Sequence, residues 1–98
     1  MASREIRWTI RATQDKLAIY EYWTNRNKSI LYAQKLEKLF NEVIKIAAIY
    51  PSAGIKTEVI NVRIQIIKDF KIVYRIKENI LEVLAIWDTR QNTKNFKY

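Results

Sequence analysis

Two side chains that carry much of protein chemistry are missing from this sequence: it has no histidine and no cysteine. The commonest general base, the commonest metal ligand, the thiolate nucleophile and any disulfide framework are therefore excluded. The ten acidic residues are scattered, with no pair at ligand spacing on a common face, so neither a metal nor another cofactor is expected. What remains is cationic. Eighteen Lys and Arg give a net charge of +8, with nine basic and five acidic residues on each side of position 50. That balance predicts a polyanionic partner, either nucleic acid or an acidic protein. A guanidinium on an exposed strand face can hold phosphate in a fork, and Arg63 is the first candidate for that role. Lys71 and Arg75 are expected on the same face, Arg75 paired with Glu82 and Lys71 facing Gln65 and Ile86. The last five residues, Lys94-Asn95-Phe96-Lys97-Tyr98, interleave charge with aromatics. Phe96 can stack on a base but cannot move a proton, whereas Tyr98 can do both. A proton acceptor would have to be a lysine or tyrosine with a strongly lowered pKa.

The elements that must position these groups are legible from periodicity. Residues 5–10 alternate, with Ile6, Trp8 and Ile10 on one side, as in a half-buried strand. Residues 12–25 carry Ala12, Ile19, Tyr22 and Trp23 at helical spacing. These aromatics, with Trp8, are read as core rather than as a stacking surface. A second helix follows an expected Ser29 N-cap. Its stripe is Ala33, Leu36, Phe40, Val43 and Ala47, widened by Leu39 and Ile46, and Tyr50-Pro51-Ser52-Ala53-Gly54 stops it. The period then falls to two. Val62, Ile64 and Ile66 form one strand, and Phe70, Ile72, Tyr74 and Ile76 the next. Leu81, Val83, Ala85 and Trp87 form the last. Matching apolar faces predicts a three-residue turn at 67–69, pairing Ile66 with Phe70 and Ile64 with Ile72. The same reasoning sets Ile76 against Leu81 and Arg75 against Glu82. The expected architecture is one α+β domain over residues 1–98, β-α-α-β-β-β, with two antiparallel helices on one face of an antiparallel sheet. The other face would carry Arg63, Gln65, Lys71 and Arg75 among Val73, Leu84 and Ile86. No apolar run exceeds five residues, so no membrane span is expected. The opening seven residues lack the apolar core of a signal peptide, and the expectation is a cytoplasmic protein.

Four segments, in order, carry a family likeness. Trp8-Thr9 is followed by Ala12, Asp15, Ile19 and Tyr22, although Lys16 stands where Leu is usual. Next come Tyr50-Pro51 and Gly54, and then Val62-Arg63 ahead of Phe70-Lys71-Ile72-Val73-Tyr74-Arg75. Last is Asp88-Thr89-Arg90-Gln91-Asn92, with Thr93 where proline is usual. Together, from Trp8 to Lys94, these resemble the RelE/ParE toxins of bacterial type II toxin–antitoxin modules.

The resemblance implies a toxin neutralised by an acidic antitoxin segment wrapped over it, in a hetero-oligomer. It implies one of two actions. The first, taken as leading, is metal-independent cleavage of mRNA on the ribosome, with the ribose 2′-OH as nucleophile. In that reading Arg63 and Arg90 are catalytic, close together on the open face, and hold the scissile phosphate. Lys71, Lys56, Phe96 and Tyr98 contact RNA. The alternative is ParE-like inhibition of DNA gyrase, or a non-catalytic antitoxin-binding module.

Overall fold

A computed structural model describes residues 3–90. The chain runs β1 (Glu5–Trp8), α1 (Ile10–Asn27), α2 (Leu31–Ile49), a single 3-10 turn (Pro51–Ala53), β2 (Ile55–Lys56), β3 (Val62–Ile67), β4 (Phe70–Lys77) and β5 (Ile80–Asp88). The strands form one sheet in the order β1-β5-β4-β3-β2. All pairings are antiparallel except β1 with β5, which is parallel. The α+β architecture with two helices on a largely antiparallel sheet is as expected; the parallel β1 and the two-residue β2 are additions.

β1 is shorter than the alternation suggests, because Thr9 ends it. Thr9 is extended, and its Oγ1 accepts from the Ala12 N–H at 3.0 Å, which N-caps α1. The same hydroxyl donates to the Leu84 carbonyl at 3.1 Å. Ile10 therefore opens the helix, 79% exposed, instead of closing the strand inside the core. Among the described residues, no strand lies beside the outer edge of β5 beyond Thr9. The Asp15 carboxylate takes over, accepting the Ile86 N–H at 3.0 Å. A side chain from α1 thus completes a ladder that β1 is too short to reach.

The Asp15 site gives a test of this account. Burial raises the Asp15 carboxyl, opposed by the Ile86 hydrogen bond and the charge of Arg11. Asp15→Ala leaves the strand N–H without its partner and is expected to cost about 1–3 kcal/mol. Asp15→Asn keeps an accepting oxygen and should cost less. A raised folded-state value means the folded chain holds this proton more readily than the unfolded one. Wild type should therefore lose stability relative to Asp15→Asn as pH climbs from below 3.8 through the raised value. Urea midpoints across that range would show it, and a pH-independent gap would refute it.

The core lies between the helices and the sheet. Leu36, Phe40, Ile44, Ala47 and Ala48 of α2 and Ala12 and Ile19 of α1 meet Phe70, Ile72, Tyr74, Leu81, Val83 and Ile86. Phe40 packs edge-on to Phe70 at 5.3 Å. Ile46, expected to widen the α2 stripe, is 52% exposed, and Ile44 occupies the core instead. A smaller cluster, Val62, Val73 and Ala85 with Ile64 and Leu84, forms on the opposite face of the sheet.

Two registers depart from the alternation argument. β3 and β4 are joined by a two-residue turn, Lys68-Asp69, with Ile67 opposite Phe70, Gln65 opposite Ile72 and Arg63 opposite Tyr74. Lys68 adopts φ 52°, the left-handed conformation that two-residue hairpin turns require. Val62 and Ile64 consequently join the smaller cluster, and Arg63 and Gln65 share the helix-bearing side of the sheet. Polarity misled because β3 lies near the sheet margin and has apolar neighbours on both faces. The second departure is a bulge in β5: Val73 faces Ala85, but Tyr74 faces Val83. The extra residue swaps the faces of everything after it. Ile86 enters the main core and Ala85 leaves it. The β4–β5 hairpin otherwise has the expected pairs, Ile76 with Leu81 and Arg75 with Glu82.

Candidate functional site

Two of the four segments singled out in the sequence, the second and the third, meet at one corner. The 3-10 turn after α2 brings the Pro51 carbonyl and the Gly54 N–H to the buried hydroxyl of Tyr74. Tyr74 Oη donates to Pro51 at 2.7 Å and accepts from Gly54 at 3.0 Å. Arg63 Nη1 donates to the Gly54 carbonyl at 2.8 Å. Both backbone groups of Gly54 are thereby fixed by side chains from β3 and β4. Gly54 must be glycine because of this close approach: a Cβ there would overlap Tyr74 Oη and lie 3.0 Å from Arg63 Cβ. Burial pushes the Tyr74 phenol up, opposed by the Gly54 hydrogen bond and the Arg63 charge.

Arg63 is therefore not a free guanidinium on the open face. It lies on the helix-bearing side and braces a turn. Lys56 is its cross-strand partner, and both line a recess with Thr57, Val59, Ile60 and Asn61. The structure brings this pair of expected cations together. It does not bring them to Arg90. Arg63 lies four residues before the hairpin end, a strand rise of roughly 13 Å. Arg90 follows Thr89, whose N–H bonds the Asp69 carbonyl in that hairpin turn.

Arg90 is also engaged. Its Nε and Nη2 donate to the two Asp88 oxygens at 3.0 and 2.8 Å, and its guanidinium stacks 4.7 Å from the Trp23 ring. Burial works to raise the Asp88 carboxyl, but the Arg90 side-chain and backbone hydrogen bonds and its charge hold it below the usual carboxylate value. Lys71 lies on the opposite face of the sheet from Arg63, in register with Ile66 and Trp87 rather than with Gln65 and Ile86. Arg75 pairs with Glu82 there, as expected. Phe96 and Tyr98 fall outside the described residues.

No described tyrosine pushed by its surroundings moves toward a base. Tyr20 is raised by burial and by Glu37, and Tyr74 is raised by burial. Among the described residues there is no cluster of acids that could hold a metal ion, and no helix long and apolar enough to cross a membrane.

Sequence reasoning missed a second feature, a recess of about 320 Å³ between α1 and the end of β5. Ala18, Ile19, Tyr22, Trp23 and Ile86 line it, with Asp15, Asp88 and Arg90 at its polar side. Tyr22, expected in the core, is 49% exposed. The signal for this recess was the aromatic pair Tyr22-Trp23 next to Arg26, which was read as core.

The model for the ParE toxin of the parDE type II toxin–antitoxin system matches residues 6–93. Among solved structures, a chain of the chromosomal ParDE toxin–antitoxin system from P. aeruginosa superposes with a TM-score of 0.71. It is 24% identical, and the match covers 86% of this chain and 94% of that one. A chain of the RelBE2 toxin–antitoxin complex from Mycobacterium tuberculosis superposes with a TM-score of 0.61 at 12% identity. That match covers 87% of this chain and 96% of the other. At these identities both show the same fold. No curated protein sequence matches the chain.

Proposed function

Because the chain belongs to the ParE toxin family of type II toxin–antitoxin systems, we propose that it arrests growth by binding DNA gyrase, not by cutting RNA. One observation carries the choice between these actions. Arg63 and Arg90, which would hold a scissile phosphate together, are each committed to a partner within the fold and stand apart, Arg63 within β3 and Arg90 beyond the end of β5. Cleavage of RNA needs a base and a converging set of cations at one phosphate. The chain has no histidine, and burial moves the Tyr20 and Tyr74 phenols away from service as a base. Inhibition by binding needs none of these groups. Among the described residues, the arrangement that favours cleavage is the Lys56–Arg63 cross-strand pair, which puts two cations side by side. An acidic antitoxin is the expected neutralising partner. It is supported by the net charge of +8 and by the toxin–antitoxin assemblies to which the fold is similar.

Controlled expression, with RNA 5′ ends mapped within minutes and supercoiling by purified gyrase measured alongside, tests this. The expected result is intact messages and gyrase inhibited by the pure chain. New cuts inside translated codons, lost in an Arg63→Ala, Arg90→Ala double mutant, would replace this reading with the endonuclease. Neither effect, with no growth arrest, would leave an antitoxin-binding module.

A further inference from the structure

The recess between α1 and β5 opens beside an unusual concentration of aromatic rings and cations. Trp23 lies edge-on to Tyr22 at 5.2 Å and to Tyr32 at 4.8 Å. Arg90 and Arg26 sit over Trp23 at 4.7 and 5.8 Å, and Lys68 over Tyr32 at 5.8 Å. Lys28 adds a further exposed cation at the α1 C-cap. This grouping is built from four places in the fold: the end of α1, the start of α2, the β3–β4 turn and the end of β5. None of it is used by the Gly54–Tyr74 corner.

We propose that this recess and its rim bind single-stranded nucleic acid, with one unpaired base entering the recess and backbone phosphates resting on Arg26, Lys28 and Lys68. The chemistry of the recess fits a neutral, flat, polar-edged ligand. Its walls are apolar and aromatic, and its polar side holds the Asp15 and Asp88 carboxylates, whose lone pairs not taken by Ile86 and Arg90 can accept from a base edge. Tyr22 presents a half-exposed ring on which a base can stack. The rim supplies the charge. Arg90 has its hydrogen-bonding edge filled by Asp88, so it shapes the recess rather than holding phosphate. Among the described residues Arg26 makes one 3.4 Å contact to the Tyr22 hydroxyl besides lying over Trp23, which leaves further N–H donors for an anion.

An acidic protein segment fits less well. A carboxylate side chain entering the recess would meet Asp15 and Asp88, which already stand there. Nucleic acid separates the two requirements: the charge stays on the backbone at the cationic rim, and the inserted base is neutral. The inference extends beyond the gyrase reading, since it needs neither gyrase nor cleavage.

The test uses the purified full chain and labelled single strands of about 12 nucleotides, as DNA and as RNA of one sequence, with the matching DNA duplex. Binding is followed by anisotropy and by quenching of tryptophan fluorescence. Tyr22→Ala and Arg26→Glu are compared with Lys45→Glu, an equal charge reversal on the exposed face of α2. The expected result is single-strand binding with tryptophan quenching, weakened roughly tenfold or more by either site change and little by Lys45→Glu. The stronger of the DNA and RNA strands identifies the sugar. Equal losses at Arg26 and Lys45 would mean diffuse attraction of a basic protein and overturn the site. Duplex binding as tight as single strand would overturn base insertion. Displacement of the strand by polyglutamate of the same charge, with the same dependence on Tyr22 and Arg26, would reassign the site to an acidic protein. Because gyrase is absent from the assay, failure here leaves the gyrase reading untouched. Thermal melting by circular dichroism confirms that each variant is folded.

Discussion

Gly54→Ala should lower the free energy of unfolding by about 2–5 kcal/mol, the sum of an overpacking cost and of hydrogen bonds forced apart. The added methyl has nowhere to go. It would fall on Tyr74 Oη, a buried atom fixed by two backbone hydrogen bonds, and against the β-carbon of Arg63. Relieving the overlap means pulling the Pro51–Gly54 turn off Tyr74, which leaves a buried hydroxyl and a backbone N–H unpaired. Tyr74→Phe probes the same corner from the other side, and about 1–3 kcal/mol is expected from the two orphaned backbone groups. The double mutant is the decisive measurement. With the hydroxyl gone the worst overlap is removed, although the methyl still lies 3.0 Å from the ring carbon of residue 74 and from Arg63 Cβ, so the combined cost should fall short of the sum of the single changes. Urea unfolding of the three variants measures this. Simple additivity would show that the methyl and the hydroxyl do not compete for the same space.

The second large effect concerns the bulge in β5. Ile86→Ala is expected to cost about 2–5 kcal/mol, as for an aliphatic side chain removed from a packed core. Leu84→Ala, two residues earlier and only partly buried on the other cluster, should cost less. Strict alternation from Leu81 would make Ala85 the core residue and Ile86 a surface one. The order of the two costs therefore reports the register directly. If Leu84→Ala proves as damaging as Ile86→Ala in denaturant titrations, the bulge is misplaced.

Both tests concern positions where local pattern and tertiary packing disagree. The alternation in β4 and the early part of β5 could be read directly, because those strands are central and have one clearly apolar core face. Pairing Arg75 with Glu82 followed from that alone. β3 could not be read in the same way. It lies near the margin of the sheet, where Val62 and Ile64 find apolar partners away from the helices and Arg63 finds the Gly54 carbonyl on the helix side. An extra residue in β5 leaves no mark in composition, since Leu84, Ala85 and Ile86 are all apolar and each suits either face.

The site divides in the same manner. The segments Tyr50-Pro51…Gly54, Val62-Arg63 and Tyr74-Arg75 were visible as spaced motifs, but their spacing could not say that they close on one another. Arg63 looked like a phosphate ligand because a guanidinium on an alternating strand is usually solvated; only the fold supplies the carbonyl that occupies it. Asp15 was likewise visible and unexplained until β1 proved too short to cover Leu84–Ile86, leaving a strand N–H that a carboxylate from α1 must satisfy.

By itself the sequence determined the α+β class, the two helices and their main core residues, the cationic character and the family likeness. These follow from periodicity, charge and motif order, which are properties of the chain read one neighbourhood at a time. The tertiary structure alone decided the registers of β3 and β5, the engagement of Arg63 and Arg90, and the recess beside Trp23. Each depends on which distant groups arrive to satisfy a backbone hydrogen bond, fill a core position or neutralise a charge.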